Sequence, residues 1–290
     1  MHLVDGTYEL YRAHYAPRPG HLTPLGRDAK ATVGIVESLL ALLHDDDEAV
    51  THLAVAFDNP IRSFRNDLFP QYKSDEGVPN ELRVQFDAAE EAVRAMGVVV
   101  WPMREYEADD ALATGARRFR DQVEQVRILT PDKDLGQCIQ GDHVVQVDRR
   151  QRKVLNEAAF RAERGFGPRS IPDFLALTGD SADGFPGLPG FGKKSASLLV
   201  GAYERLERIP ARAADWTVQP RGALRLAATL AELRDEAFLY RKLATLVDTV
   251  PLESSLDSLR FRGTPRAEFE RWCEQLGIAR LRTVPRRWLA

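Results

Sequence analysis

The amino-acid sequence predicts an α/β fold, a mostly parallel sheet flanked by helices, with a smaller helical region after it. Two observations predict the sheet. Short apolar, β-branched runs near residues 1–5, 52–57, 97–101, 126–130 and 143–147 read as strands, and 3.6-residue periodicity over about 28–44, 80–96 and 108–120 reads as helices between them. That alternation is the signature of βαβ units. A third observation predicts the helical region. The chain from about residue 200 reads as helical and arginine-rich, and before it a glycine-rich turn leads into a helix starting near Lys193.

At 290 residues, 44% hydrophobic and 29% charged, the chain is long enough for a sizeable core and two domains. No apolar run reaches membrane-spanning length. The opening Met1-His2-Leu3-Val4-Asp5 enters a strand at once, without the basic start and long apolar segment of a signal peptide, which predicts a cytoplasmic protein. Cys138 and Cys273 lie far apart with no CxxC spacing, so zinc and thiol redox chemistry are not expected. Charge is unevenly divided. Residues 1–148 carry 15 Lys+Arg against 26 Asp+Glu, a net of -11, and residues 149–290 carry 25 against 17, a net of +8. An acidic half suited to cations thus precedes a basic half suited to a polyanion, although basic surface alone also serves solubility.

Taken in order, the strands place acids at their ends. Asp5 ends the first and Asp58 the second, while Asp132 and Asp134 follow the fourth in Thr130-Pro131-Asp132-Lys133-Asp134. Ligands of open parallel sheets bind outside the carboxyl ends of the strands, so these acids should gather on one edge. Gly97 ends the helix over 80–96 in the C-terminal glycine position, and Tyr106-Glu107-Ala108-Asp109-Asp110 opens on that same edge, after the third strand and at the start of the helix over 108–120. Asp109 continues the apolar stripe Leu112, Gly115, Ala116, Phe119 and should face inward, with Asp110 off that stripe. Glu107 and Asp109 are about 200° apart on a regular helix, so Glu107 should sit in the loop or a distorted first turn. An acidic first turn also complements the helix dipole, and turns favour Asp; the convergence of so many acids favours a site. Such a set cannot stay ionised without a cation, and oxygen-only donors favour Mg²⁺ or Mn²⁺ over zinc.

The long connection from Asn59 to Pro79 carries Arg62, Arg65, Tyr72 and Lys73, of which Lys73 offers charge to a phosphate and Tyr72 a stacking face to a base. In Thr178-Gly179-Asp180-Ser181-Ala182-Asp183-Gly184-Phe185-Pro186-Gly187-Leu188-Pro189-Gly190-Phe191-Gly192-Lys193-Lys194, the glycines at 187, 190 and 192 surround a tight turn. Exposed amides at the helix start, beside Lys193 and Lys194, would grip a phosphate backbone without reading sequence, a helix-hairpin-helix pattern. Neither GxxxxGK[ST] nor GxGxxG spacing is present. Asp180 and Asp183 add two carboxylates just before the hairpin, and Arg205, Arg208, Arg212, Arg221 and Arg225 could extend its basic surface.

Seven motifs in order carry a resemblance that spans nearly the whole chain: Val4-Asp5-Gly6, Phe57-Asp58, Ser63-Phe64-Arg65, Tyr72-Lys73, Tyr106–Asp110, Ile128–Asp134 and Thr178-Gly179-Asp180. The sequence resembles the 5'-nuclease (flap endonuclease) family, and within it the 5'-3' exonuclease domain attached to bacterial DNA polymerase I; with no polymerase following, it looks like a free-standing member. The resemblance implies a PIN-like nuclease core over 1–165, with a helical arch over about 60–96, and a helix-hairpin-helix region with C-terminal helices over 166–290. It implies a structure-selective 5'-3' exonuclease and 5'-flap endonuclease that hydrolyses DNA phosphodiester bonds with two ions roughly 4 Å apart, giving 5'-phosphate products. Asp5, Asp58, Glu107, Asp109 and Asp110 would form the first ligand group and Asp132, Asp134, Asp180 and Asp183 the second, with Asp109 and Lys73 central to catalysis. Lys73, on the arch, would contact the scissile phosphate. Tyr72 would stack on a base, and Arg65, Gly187, Gly190, Gly192, Lys193 and Lys194 would bind DNA, with K⁺ held by carbonyls of the hairpin turn. Branched or 5'-flap DNA, or an RNA primer on DNA, is the implied partner of a monomer in the bacterial nucleoid-associated pool. The chain departs from the family pattern at Ser74-Asp75-Glu76, where relatives carry a basic residue, and at Gly184, where they carry Asn. A branched-DNA-binding protein without catalysis and a PIN-type ribonuclease are the alternatives.

Overall fold

Six strands, β1 (His2–Asp5), β2 (Leu53–Asp58), β3 (Val99–Met103), β4 (Val126–Leu129), β5 (Val144–Asp148) and β6 (Lys153–Leu155), form one sheet in the order β3-β2-β1-β4-β5-β6 in the computed structural model, which describes residues 1–289. The first five are parallel and β6 pairs antiparallel with β5. Period-two alternation assigns the faces. Val4, Val55, Phe57, Leu129 and Val145 point into one core layer, and Leu3, Ala54, Ala56, Trp101 and Ile128 into the other. Both layers are covered by helices, which is why these strands read as continuous apolar runs. β6, three residues long with only Leu155 buried, is too short to have been legible in the sequence.

The helices are α1 (Gly6–Tyr15), α2 (Lys30–Leu43), α3 (Arg65–Leu68), α4 (Asn80–Arg83), α5 (Phe86–Ala95), α6 (Ala108–Phe119), α7 (Glu157–Arg164), α8 (Ile171–Thr178), α9 (Lys193–Tyr203), α10 (Ala223–Glu232), α11 (Arg234–Ala244) and α12 (Arg266–Gln275). The helix expected over 80–96 is broken between α4 and α5. The buried Gln85 sits at the break, where its side-chain oxygen accepts from the Ala31 and Thr32 amides and so caps α2, whose N-cap, Ala29, has no side chain for the task. The expected helical arch is reduced to the short helices α3 and α4, with Phe69–Pro79 non-helical between them.

A third core joins α8, α9, α10 and α11 with Phe160, Phe166 and the turn residues Phe185, Leu188 and Phe191. The chain does not end there. Residues 246–289, expected with the hairpin region, pack against both core layers of the sheet. Val250, Leu252 and Leu259 pack beneath α6, Phe261, Phe269 and Trp272 pack on the α5 side, and Arg260 bridges to His52 beside β2. No helix among the described residues is long and apolar enough to cross a membrane.

Candidate active site

The register brings the strand-end acids together. Asp5 lies opposite Ala56, so Asp58 stands two residues further along β2, and Val4 lies opposite Leu129, so Thr130 reaches Asp5. Asp5 accepts from the Tyr8 amide at 2.8 Å as N-cap of α1, and from the Thr130 hydroxyl at 3.0 Å. Asp58 accepts from the Ala108 amide at 2.7 Å, tying β2 to the start of α6. Burial, together with Asp58 and Asp132, pushes the Asp5 carboxyl up to about 7. Burial likewise raises Asp58 against the pull of Lys73. Asp109, half-buried, is raised well above the usual range by burial and by Asp132, Asp5 and Asp58. So many unneutralised carboxylates in one place destabilise each other's charged form.

Asp134, Asp180 and Asp183 form a second group, each offering an oxygen within 4.8 Å of the others. Asp134 Oδ1 is buried with no hydrogen-bond partner, and burial with Asp132 nearby raises this carboxyl far above its ordinary value. A buried, orphaned carboxylate oxygen among other carboxylates fits a hard divalent cation. Lys133 pairs with Asp180, and its ammonium lies 3.6 Å from the same Asp134 Oδ1, an ion pair beyond hydrogen-bond reach. Lys73 pairs with Glu107 at 2.7 Å and Asp183 at 3.5 Å, so it spans the two groups. Glu107 is the N-cap of α6 in extended backbone. Burial would raise its carboxyl, but Lys73 and Arg65 outweigh burial and hold it below the ordinary range.

Three expected roles are corrected. Asp110 is fully buried, and both its oxygens are occupied, by Arg65 Nη1 and Nη2 at 2.8 and 2.7 Å and by the amides of Glu107 and Val247 at 3.0 and 2.8 Å. With four donors on it, Asp110 has no lone pair left for a metal. The inward-facing member of the pair is Asp110, because α6 is covered by the sheet on one side and by residues 243–252 on the other. Arg65 is 1% exposed, so it cannot bind DNA; its guanidinium also donates to the Leu243 and Thr245 carbonyls. Tyr72 is 4% exposed within the third core, its hydroxyl 3.5 Å from Glu107, and has no face open to a base. Lys73 lies on the non-helical stretch, its amide donating to the Asp183 carbonyl at 3.0 Å.

The sequence reading missed the roles of Ser63 and Thr130, whose hydroxyls bond the acids, of Thr7, which holds the Asp58 backbone, and of the cation Lys133. Ser63 donates to Glu107 at 2.7 Å, and Thr7 accepts from the Asp58 amide at 2.9 Å. Their signal was position, each within three residues of a strand-end acid or a predicted site residue. At the hairpin, Gly187 (φ +69°) and Gly190 (φ +88°) turn the chain, and a Cβ on Gly187 would lie 2.2 Å from the Gly179 amide. Gly187 is thus required by backbone packing whatever it binds. Gly192 is the N-cap of α9, and Lys193 and Lys194 are exposed in its first turn. Gly184 (φ +84°) packs so closely that a Cβ would meet the Gln71 carbonyl at 2.4 Å, which accounts for glycine where an Asn was expected.

The model of the 5'-3' exonuclease N-terminal resolvase-like domain matches residues 1–165, and that of the 5'-3' exonuclease C-terminal SAM fold matches residues 166–267. The chain belongs to the 5'-3' exonuclease family. DNA polymerase I of Pseudomonas aeruginosa is 36% identical over 94% of this chain, and that of Mycobacterium tuberculosis 33% over 97%. This family member spans about a third of those relatives, 31% of each. Among solved structures, T5 D15 protein co-crystallised with metal ions matches with a TM-score of 0.66 at 15% identity, covering 95% of this chain and 97% of that one. The catalytic core of Rad2 in complex with DNA substrate matches at 0.59 and 14%, covering 95% and 87%. At those identities the likeness is one of fold.

Proposed function

We propose that this chain is a structure-selective 5'-3' exonuclease and 5'-flap endonuclease that hydrolyses DNA phosphodiester bonds and leaves 5'-phosphate products. The observation that carries the reading is the convergence of Asp5, Asp58, Glu107, Asp109 and Asp132 with Asp134, Asp180 and Asp183 at one sheet edge, a set too acidic to stay ionised without cations. Divalent ions held there, Mg²⁺ or Mn²⁺, would supply Lewis-acid charge and a water acidified toward neutral pH.

The chain's own residues do the rest. Asp5, Asp58, Glu107 and Asp109 would hold one ion and Asp134, Asp180 and Asp183 the other, with Asp132 close to acids of both groups. Lys73, held by Glu107 and Asp183, presents its ammonium to the scissile phosphate once those carboxylates are neutralised otherwise. The first amides of α9 and the exposed Lys193 and Lys194 grip a duplex by its backbone, and the turn carbonyls around Gly187, Gly190 and Gly192 suit K⁺. Recognition is then of junction structure and not of sequence. The enzyme acts as a monomer on 5'-flap or branched DNA, including an RNA primer on DNA. Matched 5'-flaps in DNA and RNA, assayed with Mg²⁺, Mn²⁺ and EDTA, test this. Metal-dependent cleavage of the DNA flap near the junction is expected. Binding without cleavage would leave a branched-DNA-binding protein, and preference for an all-RNA flap a ribonuclease.

A further inference from the structure

Residues 243–250, the last two of α11 and the stretch that follows it, pack through Leu243, Ala244 and Val250, and their backbone is hydrogen-bonded by side chains from the elements that carry the carboxylates. Arg65 donates to the Leu243 carbonyl at 2.8 Å and the Thr245 carbonyl at 3.0 Å. Gln137, three residues past Asp134, donates to the Ala244 carbonyl at 2.8 Å and accepts from the Leu246 amide at 3.3 Å. Asp110 accepts from the Val247 amide at 2.8 Å. Thr114, one turn further along α6, accepts from the Val250 amide at 3.0 Å and donates to the Val247 carbonyl at 3.3 Å. The segment is thus a strap bound to the α6 side and the Asp134 side of the site.

Its other end is joined to the hairpin. α11 packs along α8, which runs directly into Gly179 and the turn, and the Tyr240 ring stacks on Phe185, two residues from Asp183, with centroids 5.7 Å apart. Arg65, Asp110 and Thr114 are buried although Thr245, Asp248 and Thr249 of the segment are exposed, and buried side chains with their hydrogen bonds satisfied in this way hold one geometry and tolerate few alternatives. A catalytic site needs the scissile phosphate placed within a fraction of an ångström, whereas a hairpin gripping a sequence-neutral backbone can hold a duplex at many positions.

We propose that the 243–250 strap, through Arg65, Asp110, Thr114 and Gln137, is the positioning element that sets the register between the hairpin-bound duplex and the carboxylates, and so decides which phosphodiester is cut. This rests on the nuclease reading given above. Arg65 and Asp110 are buried, so they act through the strap and through Glu107.

The test compares Thr114→Val and Gln137→Ala, uncharged changes that spare every proposed ligand, with Arg65→Lys, on one end-labelled 5'-flap duplex. The measurements are duplex affinity in Ca²⁺, single-turnover rate per active site in Mg²⁺, and product length at nucleotide resolution. Expected are unchanged duplex affinity, a rate lower by roughly 10- to 100-fold, and products spread over neighbouring phosphates where the wild type gives one. A merely structural role lowers Tm and the active fraction but leaves product length alone. Unchanged rate and product position in both Thr114→Val and Gln137→Ala overturn the proposal. Fe²⁺-generated radical cleavage of the bound flap maps the same register without hydrolysis. A wild type that binds and is mapped but does not hydrolyse defeats the nuclease reading, while the variants' shifted or unshifted maps still decide the strap.

Discussion

Asp109 and Asp110 are neighbours with opposite energetics. Asp110 is the buried partner of Arg65, and removing one member of a buried pair leaves an uncompensated charge, so Asp110→Asn is expected to destabilise the protein by about 3–5 kcal/mol. Asp109 repels Asp5, Asp58 and Asp132, so Asp109→Asn should leave the metal-free protein as stable as the wild type or more so. Denaturant unfolding of both variants in EDTA checks this; equal losses would show that the two acids had been wrongly separated. The pH dependence follows from the same group. Asp5 binds its proton up to about pH 7 in the fold, whereas an unfolded Asp releases it near about 3.9. Between those values the metal-free fold holds protons the unfolded chain has lost, so this contribution to stability falls as pH rises through the window. Divalent cations cancel the loss by binding the ionised form. The rise in Tm on adding Mg²⁺ should therefore be larger at pH 7.5 than at pH 5.5, and calorimetry at pH 6 should show proton release on binding. A pH-independent increment would contradict the assignment.

At the scale of elements, two turns carry specific demands. Gly184 meets the Gln71 carbonyl with φ at +84°, so Gly184→Ala should cost at least about 1–3 kcal/mol. Because Lys73 bonds Asp183 beside that contact, the same variant should slow cleavage more than it weakens duplex binding. The start of α9 should do the reverse. Lys193→Ala with Lys194→Ala should weaken duplex binding about equally for any sequence and reduce the salt slope by about 2. A salt dependence unchanged from wild type would remove the hairpin from the interface. What was legible at this scale was periodicity. β1, β2, β4 and β5 are runs of apolar residues buried on both faces, and Gly97, at φ +78°, separates α5 from β3 as its position suggests. The second buried face of α6 was not legible: Gly115 packs on Trp101 and Leu3 as its stripe suggests, but Asp110 and Thr114 are covered by a segment more than a hundred residues away. Arg65 and Tyr72 were misread for the same reason: a cation and an aromatic ring in a long connection look solvent-facing until the third core is seen to close over them.

For the whole molecule, the expected two-part division is crossed by the chain itself. The path runs from the first core into the hairpin region and returns along the 243–250 strap to pack Phe261, Phe269 and Trp272 against the α5 side. The acids at the sheet edge and the hairpin turn are therefore parts of one fixed frame, with Asp183 and Lys73 at the seam. The strand-end acids were legible because a parallel sheet sends every strand's carboxyl end to one edge. The frame that positions them was not, because it depends on hydrogen bonds between residues as distant in sequence as Arg65 and Thr245. The carboxylate site is tested most directly by single-turnover cleavage of a 5'-flap DNA by wild type and Asp109→Asn in Mg²⁺, with duplex affinity measured alongside. Cleavage by the wild type, lost in EDTA and reduced at least ~100-fold in Asp109→Asn with duplex affinity retained, is the predicted result. Equal cleavage by the two proteins would contradict it.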